Sequence, residues 1–358
     1  MSDSLPSSSL PGTHGSLPRS CGMTCFPVLR ITACFVCGTF AVMAFGNEPL
    51  PSWRETQPKQ ALLNFVEEVT KAGSAGFVPQ AERLAVFDND GTLWPECPLP
   101  AQLAYVIDEV KRLAQADPEL DSDPMVQAAV KGDLKALLAG EKHDGLVKVL
   151  ALTHVNMTAS EFGRRVDAWY AAAEHPRFKK QYSELAYKPM LEVLEYLRAN
   201  DFKIAIVSGG GVDFMRQFAE KLYGIEPEWV LGSSADVVFE IKDERPVFLK
   251  QATGLFVNDK VAKSIRIFQQ LGRRPIACFG NSDGDQSMLE YTTIGNPHPS
   301  FGMLVHHTDA EREYAYDKNP PASGRLVSAL AEAEKRDWVV VDMKRDWTTV
   351  FGNKDHEN

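Results

Sequence analysis

Four short apolar runs that end abruptly in polar or glycine residues constrain the fold more than any other feature of this chain. The runs are Leu84–Phe87, Ile204–Val207, Ile276–Phe279 and Met303–Val305. Runs this short that are apolar throughout are typical of strands buried on both faces of a parallel sheet. Helical spacing of apolar residues is found between or before the runs, over 57–71, 212–223 and 262–271. The sequence therefore predicts an α/β fold with a Rossmann-like parallel sheet whose polar strand ends meet at one edge.

Two insertions interrupt this alternation. Residues 97–185 carry several amphipathic helical faces, and one of these helices is predicted to begin at the capping box Thr158–Glu161. Residues 229–257 contain two runs with strand character and predict a small β-hairpin. We therefore expect an α/β core at 47–96 and 186–358, with a helical cap at 97–185 inserted into it.

The first 46 residues carry the features of an export leader. Ile31–Phe45 is an apolar run of 15 residues that ends in small residues. Such a run is short for a membrane span and has the length of the apolar part of a signal peptide. We expect cleavage before Asn47 and an exported, periplasmic product; an uncleaved anchor is the alternative. The start of translation is Met1 or Met23.

The charge balance argues against a nucleic-acid partner. The chain has 38 Lys and Arg residues against 48 Asp and Glu residues, a net charge of −10, and its basic residues do not cluster. A protein that follows a phosphate backbone needs a basic stripe. We therefore expect a small molecule and no nucleic acid as the binding partner.

Two aspartates directly after the first run give the strongest chemical signal. Asp88 and Asp90 stand two residues apart on a predicted turn, followed by Gly91 and Thr92. Carboxylates so placed can face one ligand, where one attacks and the other donates and accepts a proton. A calcium-binding loop would need acidic residues at alternate positions for longer, and Leu93 breaks that pattern. We therefore interpret this turn as catalytic.

The pattern Asp-x-Asp-x-Thr after a buried strand resembles the first motif of the haloacid dehalogenase superfamily of phosphohydrolases. The resemblance covers the chain from about Leu84 onward. It implies that a helical cap lies between the first two motifs, and the hairpin resembles that of the phosphoserine phosphatase branch. An exported branch related to phosphorylcholine phosphatase is similar as well.

The resemblance also implies roles for residues at the other strand ends. Ser208, Gly209 and Gly210 match the second motif and would bind phosphate, with Thr92 as a further contact. Glu96, just past the first motif, would face the substrate; a solvated loop carboxylate is the alternative. Lys263 matches the lysine of the third motif, with Lys260 as a rival one turn earlier. The residue types alone leave that choice open.

The fourth motif departs from the family pattern. Asn281 stands where the family has a magnesium-binding aspartate, followed by Asp283 and Asp285. The resemblance implies a Mg²⁺ ion held by Asp88, Asp90, Asn281 and Asp285, with Asp283 as an alternative. An amide oxygen remains a competent ligand for a hard cation.

The predicted activity is Mg²⁺-dependent hydrolysis of a small phosphomonoester, phosphoserine-like or phosphorylcholine-like, through an aspartyl-phosphate. Asp90 argues against dehalogenation, because dehalogenases in this superfamily lack the second aspartate. A phosphomutase and a non-catalytic phosphate-binding relative remain as alternatives, the latter suggested by Asn281.

Overall fold

The computed structural model describes residues 48–137, 139 and 144–352. The predicted leader, residues 1–46, lies outside this part of the chain. Over the described ranges, no helix is both long enough and apolar enough to cross a membrane.

Six strands form a parallel sheet in the order β3-β2-β1-β6-β7-β8. The strands are β1 (Leu84–Phe87), β2 (Lys203–Gly211), β3 (Val230–Ser233), β6 (Ala277–Gly280), β7 (Phe301–His306) and β8 (Val339–Asp342). The central strand β1 is buried along its whole length, as its run of apolar residues predicts. The predicted α/β fold with a Rossmann-like parallel sheet is confirmed.

Helices cover the sheet and fill the chain between its strands. Before β1 lies α1 (Gln57–Thr70). Between β1 and β2 lie α2 (Ala101–Ala116), α3 (Pro118–Asp121), α4 (Pro124–Val130), α5 (Leu134–Leu137), α6 (Asp144–His154), α7 (Ala159–Ala172) and α8 (Lys188–Ala199). The later helices are α9 (Val212–Met215), α10 (Ala219–Tyr223), α11 (Val261–Arg266), α12 (Gln286–Thr293), α13 (Ser328–Lys335) and α14 (Met343–Asp346). The cap boundaries at 97 and 185 stay a prediction.

The hairpin is confirmed, but the insertion that contains it is shorter than predicted. Strands β4 (Val237–Lys242) and β5 (Arg245–Lys250) pair with each other in antiparallel fashion, separate from the main sheet. Val230–Ser233, however, belongs to the main sheet, where Val230 pairs with Ile206. The predicted start of the insertion at 229 was therefore wrong, because the edge strand β3 has only four residues and runs directly into the hairpin.

Two predicted helices are interrupted. The stretch 212–223 divides into α9 and α10, and 262–271 continues from α11 into a π-helical turn over Ile267–Leu271. The helix that follows Thr158 begins as predicted, because the Thr158 hydroxyl accepts a hydrogen bond from the amide of Glu161 at 3.1 Å.

The strand ends converge because neighbouring parallel strands are in close register. Val86 pairs with both Ala205 and Cys278 across the sheet. The rings of Phe87 and Phe279 stack at 4.2 Å on adjacent strands and are fully buried. Burying one such side chain contributes about 1.5–3 kcal/mol. This packing holds the loops that follow β1, β2 and β6 at one edge of the sheet.

Candidate active site

The loop after β1 turns sharply at Gly91. Its φ of +76° lies in the left-handed region, and a Cβ there would lie 2.1 Å from Asn281 Nδ2 and 2.3 Å from Glu96 Oε1. Only glycine fits such a position. The Asp88 amide donates to the carbonyl of Phe279 at 2.9 Å, which fixes the start of the loop against β6.

Asp88, the first residue of this loop, is buried and paired with a lysine. Its side chain is buried, and its Oδ1 accepts a hydrogen bond from Lys263 Nζ at 2.7 Å. Burial, together with the negative charge of Asp285, raises the pKa of Asp88 well above its usual value, although Lys263 opposes the shift. Within the described chain no hydrogen bond reaches its second oxygen, Oδ2.

The Asp90 side chain, unlike that of Asp88, accepts its hydrogen bond from a neutral group. The indole N–H of Trp94 donates to Asp90 Oδ1 at 2.8 Å. Burial raises the pKa of Asp90 to about 6, and the bond from Trp94 limits the shift. Asp90 can therefore carry a proton close to neutral pH, which is what a general acid needs.

Lys263 is the lysine that reaches the site. Its Nζ lies 2.7 Å from Asp88 Oδ1 and 2.6 Å from Asp285 Oδ1, and its side chain is buried. Burial alone would lower its pKa, but the two carboxylates outweigh this and hold the pKa above its usual value. Lys260, the rival from the sequence, is exposed and lies at the helix start with a φ of +54°.

The end of β2 forms a compact polar turn. The buried Ser208 hydroxyl accepts a hydrogen bond from the amide of Gly210 at 3.1 Å, while Asn258 Nδ2 donates to the Ser208 carbonyl at 3.0 Å. Gly209 is exposed, and its carbonyl accepts from the Ser233 hydroxyl at 2.7 Å.

The two aspartates of the loop after β6, Asp283 and Asp285, have different hydrogen-bond partners. Asp285 Oδ2 accepts from the amides of Asn281 and Ser282 and from the Ser282 hydroxyl, at 2.9, 3.0 and 3.1 Å. Asp283 points elsewhere: its Oδ1 accepts from the amides of Val327 and Ala329 at the start of α13. Asp285 thus holds Lys263 and its own loop, whereas Asp283 fixes a helix.

Asn281 connects this loop to the one after β1. Its Oδ1 accepts from the Thr92 hydroxyl at 3.2 Å, and its Nδ2 donates to Glu96 Oε1 at 2.5 Å. Glu96 is only 3% exposed and also accepts from the hydroxyls of Tyr316 and Ser323, at 2.8 and 2.6 Å. Burial raises the pKa of Glu96 to about 7, while the Ser323 bond limits the shift.

The donor set fits a hard divalent cation. The carboxylates of Asp88 and Asp285 both contact Lys263, and the carboxylate of Glu96 contacts the Asn281 amide. These three acidic groups outnumber Lys263, the lysine that contacts two of them. Over the described ranges no three His, Cys, Asp or Glu side chains could hold a metal by themselves. Mg²⁺ needs no such cluster, because it is commonly bound through one or two carboxylates with water completing its shell.

The histidines that follow β7 take different positions. His306 is partly buried, whereas His307 is only 3% exposed. His307 Nε2 donates to the Gly91 carbonyl at 2.7 Å, and its Nδ1 lies 3.1 Å from Glu313 Oε2. His307 therefore binds the backbone of the turn after β1.

Sequence reasoning missed three residues around the site. Tyr316 and Ser323 bind Glu96 from the loop that precedes α13, and Gln102 Oε1 accepts from the amide of Gly211 at 2.6 Å. None of the three belongs to a motif or an apolar run. No signal in the sequence could have singled them out.

Comparison with known proteins gives one family match. The family model described as haloacid dehalogenase-like hydrolase matches residues 85–290. A search of curated proteins found no match.

The solved structures that this chain is similar to include three at 16 or 17% identity. A protein of unknown function from Anaerococcus prevotii DSM 20548 is 16% identical, with a TM-score of 0.46 over 70% of this chain and 85% of that one. A phosphoserine phosphohydrolase-like protein from Francisella tularensis subsp. tularensis SCHU S4 is 16% identical, with a TM-score of 0.35 over 70% and 98%. Phosphoserine phosphatase from T. onnurineus is 17% identical, with a TM-score of 0.32 over 72% and 97%.

The match to the family model spans more than half of the 358 residues and includes the loops after β1, β2 and β6. The chain therefore belongs to the haloacid dehalogenase-like hydrolases.

Proposed function

We propose that this protein is a Mg²⁺-dependent phosphomonoesterase that works through an aspartyl-phosphate. The observation that carries the proposal is the position of Lys263 Nζ, 2.7 Å from Asp88 and 2.6 Å from Asp285. A buried cation against a carboxylate nucleophile offsets the repulsion that an anionic phosphate ester would otherwise meet.

Asp88 is the proposed nucleophile. Lys263 occupies Oδ1, which leaves Oδ2 to attack phosphorus. The new bond joins Oδ2 to phosphorus as the bond from phosphorus to the leaving oxygen breaks. Asp90 gives its proton to that oxygen. It then takes a proton from the water that attacks the phosphoryl group, and inorganic phosphate and the Asp88 carboxylate are released.

The carboxyl end of β2 is the proposed phosphate-binding segment. Ser208, Gly209 and Gly210 offer a hydroxyl and backbone N–H groups, and glycines let the backbone approach a phosphate closely. Thr92, whose hydroxyl donates to Asn281, would contact the substrate from the loop after β1.

Asp88, the Asp90 carbonyl and the Asn281 amide oxygen are the proposed Mg²⁺ ligands, with Asp285 beside them. Bound Mg²⁺ would neutralise charge that develops on the transferring phosphoryl group. Both oxygens of Asp285 already accept hydrogen bonds, which favours positioning of Lys263 as its main task.

The proposed substrate is a small phosphorylated metabolite, phosphoserine-like or phosphorylcholine-like. A helical cap shields such a substrate from water. We also propose export to the periplasm after cleavage near Gly46, for which N-terminal sequencing of the protein from a periplasmic fraction is the test. A chain that retains residues 31–46 would contradict cleavage.

The test of activity is phosphate release from a panel of phosphomonoesters at several Mg²⁺ concentrations. We expect at least one small ester to be hydrolysed, and chelation to stop the reaction. Transfer of phosphate to a second sugar position without release would indicate a phosphomutase. Phosphate binding without turnover would favour the non-catalytic alternative that Asn281 suggests.

A further inference from the structure

The Glu96 side chain accepts hydrogen bonds from two separate parts of the chain, the loop after β6 and the loop that precedes α13. Asn281, Tyr316 and Ser323 donate to its two oxygens at 2.5, 2.8 and 2.6 Å. Tyr316 and Ser323 lie more than two hundred residues away in sequence. A buried carboxylate is costly unless it is paired or hydrogen-bonded, so this setting is built for Glu96.

The space around Glu96 is closed as well. A Cβ on Gly324 would lie 2.1 Å from Glu96 Oε1, and one on Gly91 would lie 2.3 Å from the same atom. Both glycines have positive φ, +86° and +76°. With backbone this close on two sides and a side chain only 3% exposed, a substrate group has little access to Glu96.

Glu96 determines which way the Asn281 amide faces. An ionised carboxylate only accepts hydrogen bonds, so the amide nitrogen must point towards Glu96. The amide oxygen then points towards Thr92, on the loop that carries Asp88 and Asp90. A flipped amide would place two acceptors 2.5 Å apart and lose the bond to Glu96.

We propose that Glu96 is a positioning residue that orients Asn281 towards the metal, and that it carries the negative charge that an aspartate would supply at position 281. This deepens the proposed function, on which it rests. Glu96 thereby serves the metal site rather than the substrate contact that the sequence predicts.

The test is a double-mutant cycle between the two positions, read out by Mg²⁺ binding in calorimetry without substrate. Glu96→Gln removes the charge, and we expect Mg²⁺ to bind about 10–100-fold more weakly, as is typical when a partner of a metal ligand is lost. Adding Asn281→Asp to Glu96→Gln exchanges amide and carboxylate. We expect this exchange to restore most of the affinity.

A matched control is Glu109→Gln. Glu109 is also a buried carboxylate, but its partners are Arg112 and Arg165 on the helices α2 and α7. Its loss should leave Mg²⁺ affinity unchanged. An exchange variant that binds Mg²⁺ no better than Glu96→Gln alone would overturn the proposal, as would equal losses from Glu96→Gln and Glu109→Gln.

A second measurement covers the case in which Glu96→Gln does not fold. Asn281→Asp alone sets two carboxylates against each other at a 2.5 Å contact, so without metal it should unfold at a lower temperature than the exchange variant. Equal unfolding temperatures would contradict the pairing. None of these readouts requires turnover, so failure of the phosphatase proposal would be seen separately in the ester panel.

Discussion

The two sides of the site stabilise their carboxylates by different means. On one side Lys263 lies between Asp88 and Asp285 and forms ion pairs with both. On the other side Glu96 receives hydrogen bonds from neutral groups, and within the described chain it forms no ion pair. The lysine side therefore holds its two carboxylates with a buried cation, whereas the Asn281 side holds its carboxylate with neutral donors.

The largest expected effect is on the lysine side. Asp88→Asn should remove ester hydrolysis altogether, because an amide cannot replace the carboxylate nucleophile. The matched control is Asp283→Asn, since Asp283 binds the backbone at the start of α13 and not the site. Steady-state assays should show no turnover in the first variant and retained turnover in the second. Hydrolysis by Asp88→Asn would rule out the proposed nucleophile.

Two lysines three positions apart differ in whether they reach the carboxylates of the site. Lys263→Ala should lower kcat by about 10²–10³-fold, the usual loss when an electrostatic group at a transition state is removed. Lys260→Ala should retain most of the activity, because Lys260 is exposed. If Lys260→Ala is the inactive variant, the assignment of the third motif is mistaken.

Substitution of two glycines of similar φ distinguishes the cost of backbone strain from the effect of displacing Glu96. Gly324 (φ +86°) faces Glu96, whereas Gly73 (φ +84°) has no atom within 4 Å of a Cβ placed on it. Alanine at either position should cost about 1–2 kcal/mol of unfolding free energy from the left-handed backbone. Only Gly324→Ala should also weaken Mg²⁺ binding. Equal Mg²⁺ affinity in the two variants would show that Glu96 does not influence the metal site.

Two buried tyrosines differ in whether the hydroxyl has a hydrogen-bond partner, and we expect a difference in stability alone. Tyr316→Phe removes a hydrogen bond to Glu96 and should cost about 1.5–3 kcal/mol, the range for bonds to charged groups. The Tyr223 hydroxyl is buried without a hydrogen-bond partner. Tyr223→Phe should therefore cost little or nothing in chemical denaturation. A loss in Tyr223→Phe as large as that in Tyr316→Phe would mean that the bond to Glu96 adds no stability.

The lysine side could be largely predicted from the sequence, because both of its carboxylates lie in turns that follow apolar runs. Asp88 follows β1 and Asp285 lies in the turn after β6, and the fold brings both to Lys263. The choice between Lys263 and Lys260 needed the structure. It depends on which side of the first turn of α11 faces the sheet, and a helix of six residues gives too short a pattern to decide that.

The Asn281 side could not be predicted to the same extent. Tyr316 and Ser323 lie in a stretch without regular spacing, and only the folded chain brings them to Glu96. The edge strand β8 was not predicted, although Val339–Val341 is apolar throughout; in the structure its residues alternate between buried and partly buried. Sequence patterns mark elements that are buried on both faces, and they mark edges and long loops poorly.

The aspartyl-phosphate proposal is tested by locating the phosphoryl group on the enzyme during turnover. Enzyme that is hydrolysing a phosphomonoester with Mg²⁺ would be quenched rapidly in acid, and its peptides would be examined by mass spectrometry. The account predicts a phosphoryl group on Asp88, absent from Asp88→Asn. Turnover with no phosphorylated enzyme, or with the phosphoryl group on another residue, would contradict it.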